Sequence, residues 1–150
     1  MRTPIIKHSG IRDVQFGDNV TIVEPVNIYD CKIGDNSFIG PFVEIQRGAE
    51  VGVHCKIQSH SFICEMVTIG NNCFVGHGVL FINDTMKTGP ANGDRSKWKR
   101  TIVGDNVAIG SNATILPVEI CNNVVIGAGA VVTKNITESG TYVGNPARKI

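Results

Sequence analysis

From Ile33 onward an aliphatic or aromatic residue returns at every sixth position: Ile33, Ile39, Ile45, Val51, Ile57, Ile63, Ile69, Val75 and Phe81. Four places after each stands a small or modest residue, Ser37, Val43, Ala49, Cys55, Ser61, Val67, Cys73 and Val79. Glycine often follows the aliphatic position directly, as at Gly34, Gly40, Gly52, Gly70 and Gly76. The rhythm resumes at Val103-Gly104 and Ile109-Gly110, shows again at Ile126-Gly127, and traces back less cleanly to Phe16-Gly17, Ile22 and Ile28. Neither a helical period of 3.6 nor an alternation of two survives nine consecutive matches at six. The pattern predicts a prism of stacked coils with three faces, each hexad supplying one face, that is, a parallel β-helix. The large aliphatics and the small residues four later point inward, and positions two and three of each hexad form the corners.

Three hexads make a coil, so residues eighteen apart stack, and about seven coils are expected. Ser37, Cys55 and Cys73 then share one interior column. Adjacent coils bring Cys55 and Cys73 to about 4.8 Å between Cα atoms, a separation that a disulfide tolerates but that equally suits small reduced core residues. The spacing drops to five between Ile28 and Ile33 and between Ile115 and Ile120, which predicts a bulge or tightened corner at each. The rhythm breaks at Asn83-Asp84, and a loop over about 83–101 leaves the prism there.

The chain of 150 residues is long enough for one domain with its own core. A net charge of +1 gives no reason to expect a nucleic-acid partner. No apolar run reaches the roughly 20 residues of a membrane span, and the N-terminal stretch lacks the pattern of a signal peptide. Cys31, Cys55, Cys64, Cys73 and Cys121 form no C-x-x-C pair and are odd in number, which fits a reducing cytoplasm.

The stretches "IGDNSFIGPFVEI", "TIGNNCFVGHGVLFIND", "VGDNVAIGSNATI" and "VIGAGAVVTKNI…YVGNPARKI" resemble the left-handed β-helix acyltransferases over nearly the whole chain. Within that family, "VLFIND" followed by a basic loop is most similar to the nucleotide-sugar N-acetyltransferases. The resemblance implies an all-β, left-handed parallel β-helix; handedness comes from it alone, since the general rule for crossovers favours the other hand. It also implies a homotrimer with sites at the subunit clefts, acetyl-CoA as cosubstrate lying along the coils, and no metal. The acceptor it implies is the amino group of a UDP- or dTDP-linked deoxy sugar, in surface polysaccharide or glycan assembly.

Each candidate residue carries a structural reading beside the functional one. His60 and His77 fall on one corner of adjacent coils, where stacked imidazoles can serve as base and partner or simply line a subunit contact. His54 falls on a different edge, and His8 precedes the regular repeat. Asn83 and Asp84 occupy the next corner, suited to holding a sugar amine and taking its proton, although Asn-Asp is also a common loop opener. Trp98, among Lys97, Lys99 and Arg100, suits a nucleotide diphosphate or anchors the loop to its own scaffold. Gln58 and Glu65 are further corner positions near the expected cleft.

For the cofactor, Gly110-Ser111 and Gly127-Ala128 are small corners where pantetheine can approach backbone amides, and the glycines also suit any coil turn. Asn145, Pro146, Arg148 and Lys149, in the tail 137–150, offer cations to the phosphate of CoA. The expected chemistry is direct attack in a ternary complex, with a backbone amide near Gly110 or Gly127 receiving the oxyanion. Cys64, at a turn position, is a conceivable nucleophile but has no base beside it. O-acetylation of a sugar is the nearest competing activity. A metal-dependent carbonic anhydrase needs three converging histidines, and a scaffold β-helix has no use for the "GNPARKI" ending.

Overall fold

A computed structural model describes residues 3–90 and 93–150, so Ala91 and Asn92 of the expected loop lie outside the described residues. The strands are two to four residues long and stack into three sheets. Face 1 holds Ile11–Arg12, Asn27–Tyr29, Glu44–Ile45, Phe62–Ile63, Leu80–Phe81, Thr114–Ile115 and Val131–Val132. Face 2 holds Gln15–Phe16, Lys32–Ile33, Glu50–Val51, Val67–Ile69, Thr101–Val103 and Glu119–Ile120. Face 3 runs through Thr21–Ile22, Phe38–Ile39, Lys56–Ile57, Phe74–Val75, Ala108–Ile109, Val124–Ile126 and Gly140–Val143, and ends with Arg148–Lys149. All pairings are parallel except the last, where Arg148–Lys149 turns back antiparallel on Gly140–Val143. This is the all-β parallel β-helix of about seven coils that the repeat leads one to expect, with the left hand that the family resemblance implies.

The hexad explains the section of the prism. Every aliphatic position from Ile33 to Phe81 is buried, as are the residues four places later from Ser37 to Val79. Turns fall two and three residues after each aliphatic position. The second of those residues takes positive φ, between 55° and 71°, at Asn36, Phe42, Gly48, His54, His60, Met66, Asn72 and Gly78. Asparagine and glycine enter this left-handed region most readily, which is why they recur at the corners.

Directly after the aliphatic position, the next coil comes so close that a side chain has no room. A Cβ added at Gly70 would lie 2.7 Å from the Gly104 backbone and 2.5 Å from Asp105 Oδ1. One at Gly34 would meet the Gly52 backbone at 2.7 Å. Along this edge, between faces 2 and 3, side-chain oxygens of one coil accept backbone N–H groups of its neighbour. Asp18 N donates to Asp35 Oδ1 (2.8 Å), Val53 N to Asn71 Oδ1 (3.0 Å), Asn71 N to Asp105 Oδ1 (2.7 Å) and Asp105 N to Asn122 Oδ1 (2.8 Å).

Where the spacing falls to five, the corner tightens as expected. Ile28 still pairs with Ile45, and Ile115 with Val132, across coils one residue short of eighteen. The Ser37–Cys55–Cys73 column is internal: Ser37 Oγ donates to the Gly52 carbonyl and accepts Cys55 N, each at 3.0 Å. Cys55 and Cys73 are free thiols, donating at 3.1 Å to the carbonyls of Gly70 and Gly104. In the Gly70→Ala variant, the added methyl must displace backbone of the next coil. We expect a loss of about 1–3 kcal/mol, read from the urea midpoint of unfolding.

Candidate functional site

The prism has three edges. The one between faces 3 and 1 carries His60 and His77, as expected, both exposed and on adjacent coils. They do not stack on each other. The His60 ring lies on Phe42 of the preceding coil, centroids 4.8 Å apart and planes within 13°. Phe42 is a site residue that sequence reasoning missed, although it stands eighteen before His60 and its aromatic ring at an outward corner was visible. His77 keeps a free ring; its amide donates to Ser111 Oγ at 3.2 Å, and its carbonyl accepts Asn112 N at 2.8 Å. Gln58 leads into this edge, its amide held by the Val75 carbonyl at 2.8 Å. His54 lies on the edge between faces 2 and 3, away from both.

On the next two coils of the histidine edge come Gly110-Ser111 and then Gly127-Ala128. The glycine amides are not free. Gly110 N donates to the Ile126 carbonyl and Gly127 N to the Tyr142 carbonyl, each at 2.8 Å. Their side-chain space is filled too: a Cβ at Gly110 would lie 2.4 Å from Ala128 N, and one at Gly127 2.7 Å from Val143 Cγ1. These glycines therefore serve coil stacking. Among the described residues, the edge amides of Ser59, Ser111 and Ala128 have no protein acceptor.

The tail closes the same edge. Val131 N donates to the Gly144 carbonyl at 3.0 Å and Ala147 N to the Val131 carbonyl at 2.8 Å, which seats the Asn145-Pro146 turn, a cis peptide, beside Val131. Arg148 is exposed, with its guanidinium on the Ala147 carbonyl at 2.9 Å. Lys149 is committed to Glu138 at 3.0 Å, and that carboxylate holds its ammonium above the usual lysine value. Arg148 is thus the freer cation of the pair.

Asn83 and Asp84 stand on the edge between faces 1 and 2, where the loop departs. Asn83 is fixed on two sides: Nδ2 donates to the Glu65 carbonyl at 3.3 Å, and its own carbonyl accepts Lys99 N at 2.9 Å, closing the loop. Asp84 Oδ1 accepts Met86 N at 2.8 Å, leaving Oδ2 without a protein donor among the described residues. The loop contains one turn of 3₁₀ helix, Arg95–Lys97, capped by Asp94. Arg95 pairs with Glu65 and lies 5.7 Å above the Trp98 ring. Trp98 is half-buried, and its Nε1 is shielded with no acceptor; an unpaired donor of this kind costs about 1–3 kcal/mol. Lys97 reaches Asp94 at 3.6 Å. Arg100 lies apart from them, lining a shallow groove of about 290 Å³ on face 2 with Glu50, Met66 and Thr68.

One chain therefore does not bring the candidates together. His60, His77, Gln58, Ser111 and Ala128 share one edge, while Asn83, Asp84, Glu65 and Trp98 share another, with the strand Leu80–Phe81 between them. Cys64 is excluded as a nucleophile by its place inside the core, where burial pushes its thiol up to about 12. Among the described residues, no group of three or more His, Cys, Asp or Glu is placed to hold a metal ion. Among the described residues, no helix is long and apolar enough to cross a membrane.

Two family descriptions match the repeats: the bacterial transferase hexapeptide (six repeats) over residues 30–65, and the hexapeptide repeat of succinyl-transferase over residues 100–134. Residues 30–65 and 100–134 thus carry hexapeptide repeats like those of bacterial transferases. A bifunctional protein GlmU from Clostridium perfringens is 35% identical over 138 residues, covering 85% of this chain and 30% of the relative. The chain spans about a third of the length of such curated relatives. A variant of AntD, an N-acyltransferase from Bacillus cereus solved with dTDP and coenzyme A, superposes with a TM-score of 0.78. It is 25% identical, over 91% of this chain and 82% of that one. A maltose O-acetyltransferase from Clostridium difficile 630 gives a TM-score of 0.56 at 26% identity, over 91% and 67% of the two chains.

The buried thiols of this hexapeptide-repeat chain make its stability depend on pH. Burial raises Cys31 to about 11 and Cys64 to about 12, whereas an unfolded thiol titrates near about 8.5. Above that value the unfolded chain releases protons that the fold retains, so stability falls as pH rises, by at most about 1.4 kcal/mol per pH unit for each thiol. The urea midpoint, measured under reducing conditions, is expected to decline steadily from pH 8.5 to pH 11.

Proposed function

We propose that the chain is an acyl-CoA-dependent acetyltransferase that transfers acetyl to the amino group of a nucleotide-linked, UDP- or dTDP-, deoxy sugar. The carrying observation is Asn83-Asp84, held rigidly at the root of a basic loop, with one carboxylate oxygen of Asp84 open. The likeness to AntD, an N-acyltransferase bound to dTDP and coenzyme A, supports both substrates. Work on surface polysaccharide or glycan assembly in the cytoplasm is the setting that fits such an acceptor.

Two different edges hold the two halves of the machinery, so a second copy supplies what one chain lacks. Phe42, Phe74, Leu80 and Val125 lie exposed on or beside the histidine edge, by 57%, 40%, 43% and 46%. Outward apolar residues here suit packing against another prism, and cyclic symmetry closes such contacts; a homotrimer brings the loop edge of one subunit to the histidine edge of the next. Acetyl-CoA runs along the histidine edge, its pantetheine amides facing the free N–H groups of Ser111 and Ala128, with Asn145, Pro146 and Arg148 towards its phosphates.

The reaction needs no acyl-enzyme, because a thioester is activated and an unprotonated amine is a good nucleophile. Asn83 orients the sugar, and Asp84 Oδ2 or His77, whose ring is not committed to stacking, accepts the ammonium proton. His60, on Phe42, shapes the wall beside His77. The oxyanion falls to the Ser111 or Ala128 amide, since those of Gly110 and Gly127 are used between coils. The likeness to a maltose O-acetyltransferase supports a second reading, acetylation of a sugar hydroxyl.

CoA release assayed across a panel of UDP- and dTDP-amino sugars and free sugars separates the two readings; turnover confined to hydroxyl acceptors overturns the first. Asp84→Asn is expected to lower kcat by about 10²–10⁴-fold with little change in KM for acetyl-CoA. A double substitution of His60 and His77 that leaves turnover intact removes the histidines from the proton path.

A further inference from the structure

The basic loop was expected to meet a diphosphate with several cations, yet its first arginine is engaged by a carboxylate of the prism. Among the described residues, one side-chain link joins the body of the loop to the prism: the Arg95 guanidinium donates to the Glu65 carboxylate. Glu65 is the more enclosed partner, its side chain 16% exposed against 52% for Arg95. The pair seats Trp98 beneath Arg95, with the indole N–H shielded and unpaired. Glu65 also accepts Asn83 Nδ2 on its backbone carbonyl, so one residue touches both the loop's cation and the dipeptide at its root.

We infer that Arg95 is the diphosphate-binding cation of the loop, and that the Glu65 carboxylate holds its place until a nucleoside diphosphate exchanges for it. The inference rests on the nucleotide-linked acceptor proposed above. The exchange is anion for anion and makes or breaks no covalent bond. A diphosphate carries more charge than a carboxylate and accepts the guanidinium fork equally well. Once released, Glu65 is a free carboxylate beside Asn83, placed to attract the acceptor's ammonium group. Nucleotide and amine are thereby read together: the diphosphate uncovers the carboxylate that the amine needs. Lys97 is tied to Asp94, whereas Lys99 and Arg100 have no ionic partner among the described residues and can assist Arg95.

Trp98 is the single tryptophan of the chain, so its fluorescence reports the seating of the loop directly. Glu65→Gln and Arg95→Gln are each expected to move its emission to the red, towards that of the urea-unfolded chain, while thermal unfolding shows both variants folded. Calorimetric titration with dTDP and with UDP should then separate the two residues by sign. Arg95→Gln weakens binding at least about tenfold, and Glu65→Gln, which removes the competitor, tightens it. A merely structural pair would lose affinity in both variants, and that result overturns the inference, as does unmoved emission in both.

The wild-type chain carries the test if the variants do not fold. Saturating dTDP or UDP must itself shift the Trp98 emission, and binding without a shift overturns the exchange. Absence of binding by either nucleotide overturns the exchange and the nucleotide-linked acceptor together. A red shift in wild type with unchanged affinity in Arg95→Gln overturns the role of Arg95 alone and leaves the proposed acceptor standing.

Discussion

The contact on which everything else depends is the approach of one coil to the next. Backbone N–H groups of each coil donate to carbonyls of its neighbour at 2.8–3.1 Å along all three faces, from Gln15 N to the Cys31 carbonyl through Gly127 N to the Tyr142 carbonyl. Such a ladder repeats only if the coils lie about 4.8 Å apart. That distance leaves no space for a Cβ where Gly34, Gly70 and Gly110 stand. The same distance lets Asn71 and Asp105 bridge coils with their side chains. The hexad is the one-dimensional trace of this geometry: an inward aliphatic, a residue without bulk, two corner residues, a small inward filler and an outward strand residue.

A stack of this kind consumes backbone polar groups inside the faces and releases them only at the edges. For that reason the amides of Gly110 and Gly127, attractive on grounds of size, are unavailable to a substrate, while those of Ser111 and Ala128 remain open. The corners are also where residues can vary without disturbing the core, so a histidine, a phenylalanine or a whole loop is admitted there. His60 and Met66 adopt the same left-handed backbone as Gly48 and Gly78. Function is therefore written on the edges, and the faces serve to space it.

Much of this was legible in the residues. The nine-fold recurrence from Ile33 to Phe81 implies the β-helix, the tightened corners after Ile28 and Ile115, and the break at Asn83. It placed His60 and His77 on one edge correctly, because eighteen-residue arithmetic survives in the fold. Side-chain pairing was less legible. The ring on His60 belongs to Phe42, and Lys149 is spent on Glu138. Period arithmetic specifies which residues share an edge, not which rotamers meet there.

Arg95 shows the same limit from another side. The cluster from Arg95 to Arg100 reads as uniformly basic, but folding sorts its members: Arg95 onto Glu65, Lys97 onto Asp94, and Arg100 over face 2. Loop residues outside the hexad obey no period, so their partners follow from where the loop returns, at Thr101 beside Met66. By itself the sequence determined the stack, its faces and the point where a loop leaves it, since each hexad supplies one face and three hexads close a coil. The tertiary structure alone decided which amides and charges remain unspent, because that depends on pairings such as Lys149 with Glu138 and Arg95 with Glu65 that follow no period in the sequence.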